Sequence, residues 1–324
     1  VAMNAAGGSF DLSTMTVDNV DRIEVVRGPA SVLYGSDAMT GVIQLFTRDG
    51  RGPAAMHALY ERGTYGTEHA ELGVGGGGRR YGFSLSGSAL KTDGILAFNN
   101  QFSDRVLSGL LRWSPSDRVD TRVAVRWSGS AYHYPTDYAG NVVDHNAEQS
   151  DHRLAVSVDA GYKFSDHVEA RLLLGSAEFL PCSNNGPDTP ADTLGYYGFF
   201  SRAVETRRAV DARFNVRFAK HDVVTFGSEV AQERERSTTR SLSEYGNSVG
   251  AFAASRHNAA VYAQALGDLT SRLSYAVSGR LDRNSAFGTF HTLRANAAYV
   301  LSSTWRVRAS AGTGFKEPSF FQNF

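Results

Sequence analysis

Arg153–Leu154–Ala155–Val156–Ser157–Val158–Asp159–Ala160–Gly161–Tyr162–Lys163–Phe164 alternates without a break. Leu154, Val156, Val158, Ala160, Tyr162 and Phe164 fall on one side, and Arg153, Ser157, Asp159 and Lys163 on the other. A period of two marks a strand whose two faces see different surroundings. The same pattern returns on either side. Val119, Thr121, Val123, Val125 and Trp127 alternate with Asp120, Arg122, Ala124 and Arg126; Val210, Ala212, Phe214, Val216 and Phe218 alternate with Asp211, Arg213, Asn215 and Arg217. Near the end Trp305, Val307, Ala309 and Ala311 alternate with Arg306, Arg308 and Ser310. These runs span roughly 10–15 residues, whereas strands of globular proteins average ~5–6. A strand crossing a bilayer needs ~9–11, with its apolar side to lipid and its polar side to a lumen.

The bulk numbers agree. With 33 basic and 33 acidic residues there is no charge excess to recruit nucleic acid. No stretch reaches the ~18 uncharged apolar residues of a membrane helix, and mean hydropathy is slightly negative, as expected when the apolar band occupies every second residue. Connections alternate in length. Short turns are expected at Ser114–Asp117, Ser165–His167, Ala219–Asp222, Asp268–Ser271 and Ser302–Thr304. Longer outer loops are expected from Ser128, Leu180 and Ser237. In outer-membrane barrels short turns face the periplasm and long loops the outside. Trp113, Phe164, Phe218, Tyr299 and Trp305 sit beside the short turns, as an interfacial girdle would. About thirteen strands are expected after Ala54. An odd number with two open edges cannot close in lipid, so the chain is expected to be a piece of a longer barrel.

The first fifty residues read differently. Val20–Arg27 and Gly41–Thr47 are expected strands, with a short helix over Ala30–Tyr34 set between Pro29 and Gly35. Ile23–Glu24–Val25–Val26–Arg27–Gly28–Pro29, then Leu33–Tyr34–Gly35, Ala38 and Gly41–Val42–Ile43 closely resemble the end of the plug of TonB-dependent outer-membrane receptors, whose pattern is I-E-V-x-R-G-P, L-Y-G, A and G-V-I. Gln44 stands where Asn is commonest, and Phe46 is bulkier than usual. Gly312–Thr313–Gly314–Phe315–Lys316–Glu317–Pro318 is similar to a mid-barrel G-x-x-F-K/R-x-P segment of the same family.

The resemblance implies an all-β membrane protein: residues 1–50 as the C-terminal part of an α+β plug domain, and residues 51–324 as the N-terminal part of a transmembrane antiparallel β-barrel of about 22 strands. It implies location in the bacterial outer membrane and active import of a scarce ligand, an iron–siderophore or a cobalamin-like molecule. The inner-membrane TonB–ExbB–ExbD complex would supply the energy, through a segment outside this chain. Glu24 and Arg27, placed in a charged lumen, would hold the plug through polar contacts. The competing class is a passive or structural barrel, a porin or adhesin, which would share the alternation but not the plug motif. No nucleophile–base spacing suggests an enzyme.

Ligand capture is expected on the outer loops, where Tyr132, His133, Tyr134 and Tyr138, and Tyr196, Tyr197, Phe199 and Phe200, offer stacking surfaces; an aromatic girdle or loop packing would use the same residues. Asp137 and Asp144, with Asn141, His145 and Asn146, could furnish oxygen ligands to calcium, as cobalamin-receptor-like proteins do, though the spacing is not that of an EF-hand. His133, His145 and His152 lack the paired spacing of a transition-metal site. The single Cys182 lies in a Pro- and Asn-rich expected loop, either solitary or paired with a cysteine outside this chain.

Overall fold

The computed structural model describes residues 12, 15–28, 30–36, 38–137, 139–219 and 221–323. Strands β1 (Val20–Arg27) and β2 (Gly41–Thr47) form a two-stranded antiparallel sheet with helix α1 (Ser31–Tyr34) between them. Glu24 stands opposite Gln44, and Arg27 opposite Gly41. Pro29 lies outside the described residues. Gly35 ends α1 at φ 81°, a conformation that costs a residue with a side chain, and its amide donates to the Ser31 carbonyl at 2.9 Å. At Gly41 a Cβ would stand 2.5 Å from the Val26 carbonyl oxygen, so only glycine lets β2 approach β1 there. Both departures from the family pattern have a use. Gln44 donates from its amide to the Tyr34 hydroxyl, tying β2 to the helix, and the Phe46 ring lies 4.0 Å beneath the Arg22 guanidinium.

Thirteen further strands make one antiparallel sheet in sequence order. They are β3 (Ala55–Arg62), β4 (Glu68–Gly77), β5 (Tyr81–Thr92), β6 (Phe102–Ser116), β7 (Val119–His133), β8 (Glu148–Lys163), β9 (Val168–Asn185), β10 (Tyr196–Arg217), β11 (Val223–Ser243), β12 (Ser248–Thr270), β13 (Leu273–Asn284), β14 (Gly288–Val300) and β15 (Arg306–Gly312). A final turn of helix, α2 (Phe320–Asn323), follows. No described helix is long and apolar enough to cross a membrane.

The sheet is inside out relative to a soluble protein. Leu72, Phe83, Leu107, Leu111, Phe214, Val261 and Leu293 are exposed on its outer face, while Asp104, Arg256, Arg280 and Asp282 are buried on the other. Inward arginines meet carboxylates: Arg171 contacts Asp159 at 2.7 Å and Glu169 at 2.8 Å, Arg207 contacts Glu233 at 2.8 Å, and Arg280 contacts Asp282 at 2.9 Å. Apolar side chains outward and paired charges inward are what a lipid exterior and a polar lumen require. Trp113, Phe164, Phe218, Tyr299 and Trp305 are all exposed and lie beside the turns at 117–118, 164–167, 218–222 and 301–305.

The outer ends correct the expected loop lengths. β7 runs on to His133, β9 to Asn185 and β11 to Ser243, which leaves loops of only 134–147, 186–195 and 244–247. Polar outward residues such as Arg202, Thr206, Arg234 and Thr238 broke the apolar pattern that marks a membrane strand, yet the backbone ladder continues through them. Cys182 is therefore a strand residue, opposite Ser150 and Arg202, and has no disulfide partner among the described residues.

Candidate functional site

The site is the seat of the small sheet within the large one. It begins with Asp18 and Asn19, both buried, just before β1. Asn19 holds φ at 57°, a left-handed conformation that asparagine tolerates better than most residues. Its side-chain amide points at Ser84 Oγ, Ser108 Oγ and the Ser108 carbonyl, each 3.4 Å away. The Ser88 hydroxyl donates to the Asp18 carboxylate, and His69 Nε2 stands 4.0 Å from the other Asp18 oxygen. Arg126 reaches in from β7, donating to the Thr16 carbonyl at 2.9 Å, the Thr16 hydroxyl at 3.2 Å and the Asp18 carbonyl at 3.3 Å. Below these, the Ser84 hydroxyl donates to the Arg48 carbonyl at 2.6 Å.

On the far side Arg294 of β14 donates to the Arg27 carbonyl at 3.4 Å. There α1 packs against β13 and β14, and Gly35 and Ser36 border a small polar gap lined by Glu229, Glu233, Arg256 and Arg280. One small sheet thus touches β5–β7 on one side and β13–β14 on the other, so the large sheet curves around it. Among the described residues, the hydrogen bonds and charges named above join it to the wall, and α1 packs against it. Asp104, 2% exposed, lies at the same place, where the Arg126 charge attracts its carboxyl and the Asp18 charge repels it.

Glu24 and Arg27, expected to hold the plug, make the following contacts among the described residues. Glu24 pairs with Arg22 of its own strand at 2.7 Å, and Arg27 contributes its carbonyl.

At the outer rim, three loops interlock. Phe98 and His145 stack with centroids 4.0 Å apart. Asn99 donates to the Asp144 and Ala147 carbonyls at 3.3 and 3.2 Å, and its Oδ1 is 3.0 Å from His133 Nδ1. Asp188 accepts from the His145 amide and the Asn146 side chain, both at 2.9 Å. The two carboxylates considered for calcium both accept hydrogen bonds, Asp137 within its own loop and Asp144 also from β9. Asp137 accepts from the Ala139 and Asn141 amides and from the Asn141 side chain, which hold its carboxyl below the usual range. Asp144 accepts from the Asn146 and Ala147 amides and the Asn185 side chain. No group of three His, Cys, Asp or Glu able to hold a metal occurs among the described residues.

The aromatic candidates do not form one cradle. Tyr132 and His133 end β7, and the Tyr132 and Tyr134 rings lie 6.1 Å apart. Tyr138 lies outside the described residues. Tyr196, Tyr197, Phe199 and Phe200 belong to β10 rather than to a loop. By alternation Phe199 shares the lumen face with Arg207, while Phe200 is on the outward face beneath the Arg240 guanidinium, 4.3 Å from its ring centroid.

Comparison with known proteins gives this arrangement its family. A family model described as "TonB dependent receptor-like, beta-barrel" matches residues 82–324, and one described as "TonB-dependent Receptor Plug Domain" matches residues 1–42. This chain belongs to the TonB-dependent receptors. These are bacterial outer-membrane proteins, transporters rather than enzymes. The vitamin B12 transporter BtuB of Photobacterium profundum is 26% identical over 323 residues, covering 98% of this chain and 50% of that protein. BtuB of Vibrio vulnificus is 22% identical, covering 99% and 51%. The chain spans about half the length of the curated relatives it matches. Among solved structures, the copper transporter OprC superposes with a TM-score of 0.80 at 12% identity, over 99% of this chain and 55% of that one. The ferric enterobactin receptor PfeA of Pseudomonas aeruginosa superposes with a TM-score of 0.75 at 17% identity, over 97% and 51%. These likenesses show the fold.

For a TonB-dependent receptor, the two-stranded sheet is the plug end and the large sheet the barrel wall. The residues that seat the plug here, Asp18, Asn19, Ser84, Ser88, Ser108 and Arg126, were not among those singled out from sequence. A signal was present. Gly82, Ser84, Ser86 and Ser88 occupy successive inward positions of β5, where neighbouring strands carry arginine and carboxylate. Small polar residues there leave room for another backbone to approach.

Proposed function

We propose that the whole protein imports a scarce ligand across the outer membrane with energy delivered through TonB. The observation that supports this most is the seat of the plug. Its hydrogen bonds and ion contacts can exchange with water as they break, and the buried apolar side chains beside them, Ala30, Val32 and Ala38, are small, so little apolar area would be exposed. A pull on the plug could then rearrange it without unfolding the wall. The relatives carry names of vitamin B12, ferric siderophore and copper transport, and an iron–siderophore or a cobalamin-like molecule is the ligand class proposed here. It would be collected at the outer mouth by the lumen-side aromatics Tyr132 and Phe199 and the neighbouring Tyr134.

The test is uptake of radiolabelled cyanocobalamin and of a panel of iron-loaded siderophores by cells making the full-length protein, with and without TonB. Saturable uptake of one of them that disappears without TonB is the expected result. Uptake that persists without TonB would place the protein with passive barrels instead.

A further inference from the structure

The outward face of β9–β12 changes character part-way up. On β10, Val216, Phe214, Ala212 and Val210 are followed by Arg208, Thr206, Val204 and Arg202. On β11, Phe226, Ser228 and Val230 are followed by Gln232, Arg234 and Arg236. Cross-strand register brings these together: Arg208 faces Gln232, Thr206 faces Arg234, and Val204 faces Arg236. Residues two apart on a strand are separated by ~7 Å and neighbouring strands by ~4.8 Å, so Arg208, Arg234, Arg236 and Arg202 follow one another, in that order, up a basic strip about 20 Å long. Glu178, opposite Thr206, is the carboxylate on this part of the outward face.

Inward arginines such as Arg171, Arg207 and Arg280 have carboxylates within 3.1 Å. Among the described residues, none of Arg202, Arg208, Arg234 and Arg236 makes an ion pair; Arg234 instead meets the Gln232 side chain. Directly below the patch the wall holds an open hollow of about 550 Å³. Val156, Val158, Leu174, Val210 and Val230 line it, the short side chain of Ser176 leaves it room, and Arg208 and Gln232 stand at its upper edge.

We infer that this face binds a phosphorylated lipid of the outer leaflet, with an acyl chain in the hollow and the phosphates of a large headgroup spread along Arg208, Arg234, Arg236 and Arg202. Three observations converge. The patch lies immediately beyond the apolar band, at headgroup depth. It lies toward the end with the longer loops, hence toward the outer leaflet. Guanidinium is also the side chain best matched to phosphate, which it can engage through two parallel hydrogen bonds. An apolar hollow beneath unpaired arginines suits one amphiphile better than a free anion, which would leave the hollow empty, or an acidic protein, which could not reach below headgroup depth.

The test is lipid retention by the whole protein extracted from the outer membrane in mild detergent, read by native mass spectrometry and phosphorus content. The native protein is expected to retain a phosphorylated lipid. Changing Arg202, Arg208, Arg234 and Arg236 together to Gln should abolish retention, each lost charge weakening it about fivefold. Changing the same four to Lys keeps the charge and should keep most of the lipid. Ser176→Phe fills the hollow, leaves the arginines in place, and should also lower retention. Heat-modifiable gel mobility checks that each variant is folded. The inference is overturned if the native protein carries no such lipid even after exposure to vesicles containing phosphorylated glycolipid, or if the Gln and Phe variants retain it as well as the native protein does. It is equally overturned if inorganic phosphate binds the patch as tightly as lipid does and Ser176→Phe changes nothing, since the patch would then be a bare anion site.

Discussion

Arg126 makes three hydrogen bonds to two residues of the plug, and its charge attracts the buried Asp104. Arg126→Ala should therefore loosen the plug by about 1.5–3 kcal/mol, seen as faster hydrogen exchange at residues 16–20. Reversing Glu24 and Arg27 should leave the exchange at residues 16–20 unchanged, because among the described residues Glu24 pairs with Arg22 of its own strand and Arg27 meets Arg294 on the far side through its carbonyl. At the rim, Asp137 is held ionised first by the Asn141 side-chain amide and then by the backbone amides of Asn141 and Ala139. A carboxyl depressed in the folded state stabilises it at every pH above the usual value of about 3.9, and that support is lost as pH falls below it. Protection of the Ala139 and Asn141 amides, corrected for intrinsic exchange, should thus be constant near neutrality and fall in acid. Asp137→Asn, which keeps an acceptor, should remove the pH dependence.

At the scale of elements, the alternation along β7, β8 and β10 was legible because lipid and lumen impose opposite demands on successive residues. The ends of the long strands were not. β10, β11 and β12 run for 22, 21 and 23 residues, longer than a bilayer needs, and their outer portions satisfy each other's backbone without an apolar side chain. The division is testable on one strand. Phe214→Arg lies in the apolar band and should destabilise the barrel by about 2–4 kcal/mol, measured by urea unfolding in vesicles. Thr206→Arg, on the same face but beyond Arg208, should cost little. Equal costs at the two positions would mean that the band is misplaced.

For the whole molecule, the consequence is that the plug seat must give way if the transport proposal holds. Asp18→Cys and Ser88→Cys place thiols at the contact between plug and wall. Joining them with a short thiol-specific linker should abolish uptake, while the untreated double variant keeps it. Continued uptake after linking would show that this seat stays in place during transport.

The amino-acid pattern alone specified the membrane strands, the two short plug strands and the family motif, because each rests on local chemistry: period-two alternation, tight turns at glycine, and one characteristic order of residue types within a family. Folding decided the rest. Which serines face Asn19, which arginine meets Thr16, and which side chain meets Asp144 depend on strands far apart in sequence coming into register. Phe199 and Phe200 were indistinguishable as aromatics in a row. Only the curvature of the sheet sends one to the lumen and the other to the outside, because a strand alternates its faces but does not by itself say which face the sheet will close around.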